Sequence, residues 1–296
     1  MAAQRMDFSK IVFLIMIVCS GVNAQKPDLT GVRILTHPVN RNVYMLEATG
    51  DVAGNIAVLA GPEGFLLVDS QFSELADSIR FALRSIHAGQ VEYIINTHYH
   101  EDHSDGNQAL RTPSTAIVAS SNMRKRSSQR SQEAQPDITF ERELSVFFND
   151  EEIKLIHLPR GHTDTDVVVF FTKANVVHLG DLYNAGISSF PNVDLKAGGT
   201  LQGLLKNISK LIGMIPSDAQ IIPGHYELSD LAGLKACQEM LIYTIGFVKS
   251  RKEAGFTLEQ ITEEGFPEKY RSWGRTGYTS ADEWIENIYR GLIKTK

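Results

Sequence analysis

The chain has 296 residues, 43% of them hydrophobic, and a formal net charge of −6 at pH 7. This is enough length and apolar content for one large domain or two small ones, and it is not the composition of a disordered chain. The acidic balance opposes polyanion binding: the basic cluster Arg124-Lys125-Arg126 with Arg130 reads as the solvated side of a helix, and no nucleic-acid partner is expected.

Residues 1–24 have the three-part organisation of a secretory signal. Arg5 and Lys10 supply the positive start, Ile11 to Val18 is an uninterrupted apolar run, and Val22-Asn23-Ala24 offers small residues to a signal peptidase. The run is shorter than the roughly 20 residues a membrane span needs, and no basic stop follows it. Cys19 lacks the Leu-small-small pattern of a lipid-modified cysteine. Cleavage after Ala24 is therefore expected, with a periplasmic or secreted location and no stable membrane anchor. Cys237 then has no partner, so stability must come from an ordinary core rather than disulfides. Residues 25–296 are expected to form a single domain with a helical C-terminal tail.

From Val32 the pattern is short strand-like runs: Val32 to Thr36, Val43 to Glu47, Ile56 to Ala60 and Phe65 to Asp69, the last two joined by Gly61-Pro62-Glu63-Gly64 as a hairpin. Leu75, Ile79, Leu83 and Ile86 then recur at helical spacing, and Val91 to Asn96 reads as a buried strand. The second half repeats the logic. Ile153 to Leu158, Val167 to Phe171 and Val176 to Leu179 are strand-like, Leu201 to Met214 is helical, and Ile221-Ile222 is a short strand. The tail from Leu228 is helical, with capping boxes at Thr257…Gln260 and Ser280…Glu283 marking two further starts. Two strand-then-helix halves predict two sheets packed face to face and covered by helices on both outer sides.

The run Thr97-His98-Tyr99-His100-Glu101-Asp102-His103 holds three of the nine histidines and a carboxylate, a density that apolar packing cannot use and divalent transition metals can. Alternate side chains of an extended segment point the same way, so His98 and His100 reach one metal together. Asp102 and His103 fall past the strand end and address a second. Tyr99 and Glu101 should point away. Three further turns after apolar runs carry metal-capable residues: Gly161-His162-Thr163, Gly180-Asp181 and Pro223-Gly224-His225. Each alone is weak, because a His or Asp at a strand end is often a turn former, but their combination and order are specific. His37, His87, His157 and His178 lie outside these motifs and are read as core or surface residues.

On these motifs the chain from residue 40 to 225 resembles the metallo-β-lactamase superfamily of binuclear metallohydrolases. The resemblance implies an α/β fold, the four-layer αββα sandwich, with the site at one edge of the two sheets. It implies that His98, His100 and His162 bind one metal, that Asp102, His103 and His225 bind another, and that Asp181 bridges them. Asp69 would buttress the metal loop without ligating. Two zinc ions are expected, with iron or manganese as other occupants. The chemistry implied is hydrolysis of a small-molecule carbonyl substrate such as a lactam, lactone or ester, with Asp102 as the catalytic carboxylate that orients the nucleophile.

Substrate class is less legible. Lactamases of the superfamily usually carry Cys or Ser where Asp181 stands and a Lys or Ser shortly after, whereas this chain has Leu182-Tyr183-Asn184. The full His/Asp set is more similar to glyoxalase II and lactonases, yet an exported protein would seldom meet cytosolic glutathione thioesters. A redox di-iron relative would have Glu in place of His100, and a non-catalytic module would have lost at least one ligand. The loop from Tyr183 to Thr200 is expected to border the site, and the Trp273 to Tyr278 segment reads as packing or a turn that can approach the cleft.

Overall fold

The computed structural model describes residues 27–187, 189–275 and 277–292. The expected signal, residues 1–24, lies outside them. Strands β1 (Ile34–Asn40), β2 (Val43–Ala48), β3 (Ile56–Gly61) and β4 (Gly64–Val68) run as an antiparallel meander. Helix α1 (Ala76–Ile86) buries Ile79 and Leu83 and returns the chain to β5 (Val91–Ile95), parallel to β4. After the short helices α2 (Glu101–Ser104) and α3 (Asn107–Leu110), β6 (Ala116–Ser120), helix α4 (Ser121–Arg126) and β7 (Ile138–Phe140) complete a seven-stranded sheet in sequential order. The second sheet follows the same plan. An antiparallel meander of β8 (Glu143–Phe148), β9 (Glu151–His157), β10 (Val167–Phe171) and β11 (Val176–His178) is followed by helix α5 (Leu201–Met214) and β12 (Gln220–Ile222), parallel to β11.

Three apolar clusters show how the layers stack. Val43, Leu59, Val68 and Ile95 from the first sheet meet Leu155, Val167, Val169 and Ile222 from the second. The outer face of the first sheet is covered by α1 through Ile79 and Leu83. The outer face of the second is covered by α5 together with α6 (Leu231–Glu253), α7 (Leu258–Glu264) and α8 (Ala281–Gly291). The four-layer αββα sandwich follows, because strands apolar on both faces need cover on both. Both capping boxes form reciprocally at the starts of α7 and α8. Helix α6 is long and apolar enough to cross a bilayer by length and composition. Its stripe of Leu234, Cys237, Met240, Leu241 and Val248 is instead buried in the cluster under α5, α7 and α8.

The elements differ from expectation in three places. The first strand begins at Ile34, two residues late, because it is an exposed edge strand whose register is set by pairing with β2. Strands β6, β7 and β8 were not expected. The second has three residues, and the third carries the alternating Glu143, Ser145 and Phe147 on a solvent face, so neither gives a long apolar run. The tail helix begins at Leu231 rather than Leu228, because Ser229 pairs with Ile221 across a bridge and Asp230 caps the helix.

Burial pushes the Cys237 thiol up to about 12, so it stays protonated and covered at neutral pH. Native protein at pH 8 is expected to resist alkylation at Cys237, and protein in denaturant to react at once; mass spectrometry reads the difference.

Candidate metal centre

Every residue the sequence singled out follows the carboxyl end of a strand, and the two sheets bring those ends to one edge. Asp69 follows β4, the His98 to His103 segment follows β5, His162 follows β9, Asp181 follows β11 and His225 follows β12. His98, His100 and His162 form one group, His98, His103 and Asp181 a second, and Asp102, His103 and His225 a third, with potential ligand atoms within 4.8 Å of one another in each. The structure therefore brings all seven positions together.

Within the first group His100 Nδ1 lies 3.2 Å from His98 Nε2 and 2.9 Å from His162 Nε2. In the other half His103 Nε2 faces His225 Nε2 at 3.3 Å, and His225 Nε2 lies 3.2 Å from Asp102 Oδ2. Asp181 stands between the halves, with Oδ1 at 3.1 Å from His103 Nε2 and Oδ2 at 3.7 Å from His162 Nε2.

The outer nitrogens decide what these inner contacts are. Thr97 Oγ1 donates to Asp69 Oδ2 at 2.7 Å, so at 3.0 Å it accepts from His98 Nδ1. His162 Nδ1 donates to the Asn192 carbonyl at 2.7 Å, His103 Nδ1 to Asp69 Oδ2 at 2.8 Å, and His100 Nε2 to Asp194 Oδ2 at 3.2 Å. A neutral imidazole that gives its one proton outward turns a lone pair inward. Three rings, those of His98, His100 and His162, therefore point lone pairs at each other across distances near 3 Å, while His103 Nε2 faces Asp181 Oδ1 at 3.1 Å. Such an arrangement repels itself unless a cation sits inside it. These residues fit a divalent metal, with outer acceptors fixing each tautomer as metal-bound histidines require.

Electrostatics agree with that fit. Burial holds His98 well below the ordinary histidine value and lowers His162 to about 4, so both are neutral donors at pH 7. Burial also opposes a charged His103, but Asp181, Asp102 and Asp69 outweigh it and push this ring well above the usual value. Asp102 is lowered to about 2: burial opposes its charge, while His103 and His225 favour it.

Local backbone explains the closeness. Asp69 sits at φ 71 with no exposed surface, and its carboxylate accepts from Thr97 N at 2.7 Å as well as from Thr97 Oγ1 and His103. These bonds tie the loop after β5 to the end of β4. A Cβ on Gly224 would fall 2.1 Å from Asp181 Oδ1, and one on Gly54 2.2 Å from the His103 ring, so both positions require glycine.

Several supporting residues gave no signal in the sequence. Asn55 donates to the carbonyls of Pro223 and Tyr226 and so holds the His225 turn. Asp166 receives Thr163 N and Oγ1 and holds the turn of His162. Tyr99 points away from the inner nitrogens but reaches Asp194 Oδ2, the atom that His100 also binds. Within the basic cluster Arg124, Lys125 and Arg126 are exposed as expected, Arg126 pairing with Asp164; Arg130 is the correction, partly buried and donating to Ser104 Oγ and the Tyr99 carbonyl, so it faces the metal loop. Buried polar residues with long-range partners look in sequence like ordinary turn residues. His178 is a buried residue outside the cluster, bonded to the Asn55 carbonyl and the Gly180 amide.

The loop from Tyr183 to Thr200 does border the site, through Asn192 and Asp194. A cleft of about 350 Å³ opens beside it, lined by Asn192, Tyr278, Asn287 and Arg290 among others. The Tyr278 ring packs edge-on against His225 at 5.2 Å, so the tail segment reaches the site. Tyr278 is half exposed, and partial desolvation together with nearby Asp102 raises its phenol above the ordinary value and keeps it protonated.

Fold and cluster define a four-layer αββα protein built to bind divalent metal through histidine and aspartate. The chain belongs to the metallo-β-lactamase superfamily, whose family model matches residues 49–225; members are mostly hydrolases with such metal-binding groups. A hydroxyacylglutathione hydrolase of Prochlorococcus marinus (strain NATL1A) is 31% identical over 144 residues, 46% of this chain and 51% of that protein. An uncharacterised protein of Aquifex aeolicus (strain VF5) is 32% identical over 93 residues, 31% of this chain and 42% of that one. The chain thus spans about half the length of the curated relatives it matches. Among solved structures, a metallo-β-lactamase from Pontibacter korlensis superposes with TM-score 0.60 at 19% identity, covering 71% of this chain and 99% of that one. An inverting sec-alkylsulfatase from Pseudomonas sp. gives TM-score 0.72 at 12% identity, covering 90% and 51%. At these identities the structural likeness shows the fold.

Asp69→Asn removes the acceptor that orients His103 and Thr97, and is expected to weaken metal retention roughly 10- to 100-fold, measured by metal analysis after dialysis against a chelator. The metal-free protein should also be acid-sensitive. The folded value of His162, about 4, lies below the 6.5 of a free histidine, so its stability contribution is complete above pH 6.5 and is lost as the pH falls toward 4. The melting temperature of metal-free protein is expected to drop over that window, and His162→Asn to flatten the drop.

Proposed function

We propose that this protein is an exported, binuclear zinc-dependent hydrolase that opens a lactone, ester or lactam carbonyl. The observation that carries the reading is the set of inward lone pairs and two carboxylates, arranged as two halves with Asp181 between them. His98, His100 and His162 would hold one metal and Asp102, His103 and His225 the other, with Asp181 shared. Bound there, two divalent ions supply Lewis acidity and lower the pKa of water toward about 7, so no Ser or Cys nucleophile is needed. The nitrogen-rich donor set favours zinc; iron and manganese also suit it.

The chain's own residues divide the remaining work. Asp102 is the more exposed carboxylate of the cluster, with 26% of its side chain open against 10% for Asp181. Partly exposed and ionised, it would orient the attacking water and pass a proton to the leaving atom. The cleft beside Asn192 and Tyr278 receives the body of the substrate. The protonated Tyr278 hydroxyl is a donor available to a substrate oxygen. Export rests on the signal-like residues 1–24, which lie outside the described part of the chain; a mature N-terminus at Gln25 would support it, and an intact leader on active protein would remove it.

A thioesterase like the hydroxyacylglutathione hydrolases is the second reading, favoured by the 31% identity over 144 residues. A panel of a chromogenic lactam, a lactone, a thioester and a phosphodiester separates the two. The expected outcome is turnover of a carbonyl substrate, with His98→Ala or Asp181→Ala abolishing both turnover and metal content. Full activity in metal-stripped protein would sink the assignment, as would iron with oxygen consumption in place of hydrolysis.

A further inference from the structure

Four donors converge on the carboxylate of Asp194, in the long connection between β11 and α5. Its Oδ1 accepts the backbone N–H groups of Lys196 and Ala197, both at 2.9 Å, which staples its own loop. Its Oδ2 turns outward and accepts Tyr99 OH at 2.7 Å and His100 Nε2 at 3.2 Å, residues more than ninety positions earlier in the chain. The backbone continues the pattern. Asp194 N donates to the His162 carbonyl at 2.9 Å, and the Asn192 carbonyl takes His162 Nδ1 at 2.7 Å. Gly199 N and Ala197 N donate to the Asp194 carbonyl and close the turn. Residues 192–199 thus grip the outer side of two of the three imidazoles in the first triad.

Tyr99 is itself immobilised. Arg130 donates to its carbonyl at 2.9 Å, and the Arg126 guanidinium stands 5.4 Å from its ring centre. Arg126 is fixed in turn by two bonds to Asp164, at 2.6 and 2.8 Å. With one lone pair of Oδ2 occupied by a phenol that cannot move, the other is left aimed at His100. An imidazole bonded through its far nitrogen to a fixed carboxylate is held in one tautomer and one ring plane, and its near nitrogen becomes a better metal donor. A loop staple alone would need only Oδ1.

We propose that Asp194 is a positioning residue for the metal, aiming His100 Nδ1 into the site with Tyr99 as its anchor, so that the loop bordering the cleft sets metal affinity in the first triad. This rests on the metal-site reading above and deepens it.

The test titrates metal-stripped full chain with zinc against a chromophoric chelator. Asp194→Asn keeps the volume, but its amide NH2 must face a donor wherever it turns, because all four partners donate. One of the two binding steps is expected to weaken roughly 10- to 100-fold and the other to stay unchanged. Tyr99→Phe, which keeps the ring beneath Arg126, should weaken the same step by a few-fold at an unaltered melting temperature. In the metal-free protein, ¹⁵N shifts should show His100 as the Nε2–H tautomer, and Asp194→Asn should lose that preference. Wild-type affinity in both variants, or in Tyr99→Phe alone should Asp194→Asn fail to fold, overturns the proposal. The two readings fail differently: wild type that binds metal without hydrolysing anything sinks the hydrolase and leaves this inference, an active Asp194→Asn enzyme with unchanged affinity sinks only this inference, and wild type that takes up no metal overturns both.

Discussion

Lone pairs do not gather by themselves. Five imidazoles meet within a few ångströms here because the fold takes the outward proton of four of them and holds it on a fixed oxygen: Thr97 Oγ1 for His98, Asp194 for His100, Asp69 for His103 and the Asn192 carbonyl for His162. The inward nitrogens of His98, His100 and His162 are left without donors of their own, and the buried Asp181 beside them adds negative charge. The rest of the molecule can be understood as the frame that resists this repulsion until a cation relieves it.

Asp69 is the stiffest part of that frame. It leaves β4 in the left-handed region, shows no surface, and receives three hydrogen bonds from the loop after β5. A carboxylate so placed joins two parallel neighbours at their carboxyl ends, where the strands stop pairing and the chain is free to turn. The other sheet contributes the ends of β9, β11 and β12, and the apolar layer between the sheets, from Val68 and Ile95 across to Val167 and Ile222, fixes their spacing. The site is therefore only as well defined as the face-to-face packing beneath it. That packing is tight: each of these four residues is fully buried.

Much of the fold was legible because its elements are written in apolar periodicity. Strands β3, β4 and β10 are nearly continuous apolar runs, α5 has a clean helical spacing, and the two capping boxes name the starts of α7 and α8. What was missed had no such signature. Strand β7 has three residues, and β8 alternates toward solvent at a sheet edge, where pairing with β9 rather than composition makes it a strand. At the centre, the seven clustered positions stood out by the density of the His98 to His103 run and by the combination and order of the three turns that follow it. Asn55 and Asp194 did not, because a polar residue in a turn is common and their distant partners lie 168 to 171 and 94 to 95 positions away, while Asp166, bonded to Thr163 three positions before it, looks like any turn residue.

The sequence by itself determined which side chains are chemically able to hold a metal; it read His98 and His100 as alternate residues of an extended segment, whereas the structure brings them to one side in the bend after β5. Both readings rest on residue type and local backbone, carried over a few positions. Only the tertiary structure decided which nitrogen of each ring faces inward, that Asp181 reaches both halves, and that Arg130 turns toward the metal loop. Tautomer, bridging and orientation depend on partners brought together by sheet packing across the chain, and no local pattern encodes a hydrogen bond whose other end is a hundred residues away.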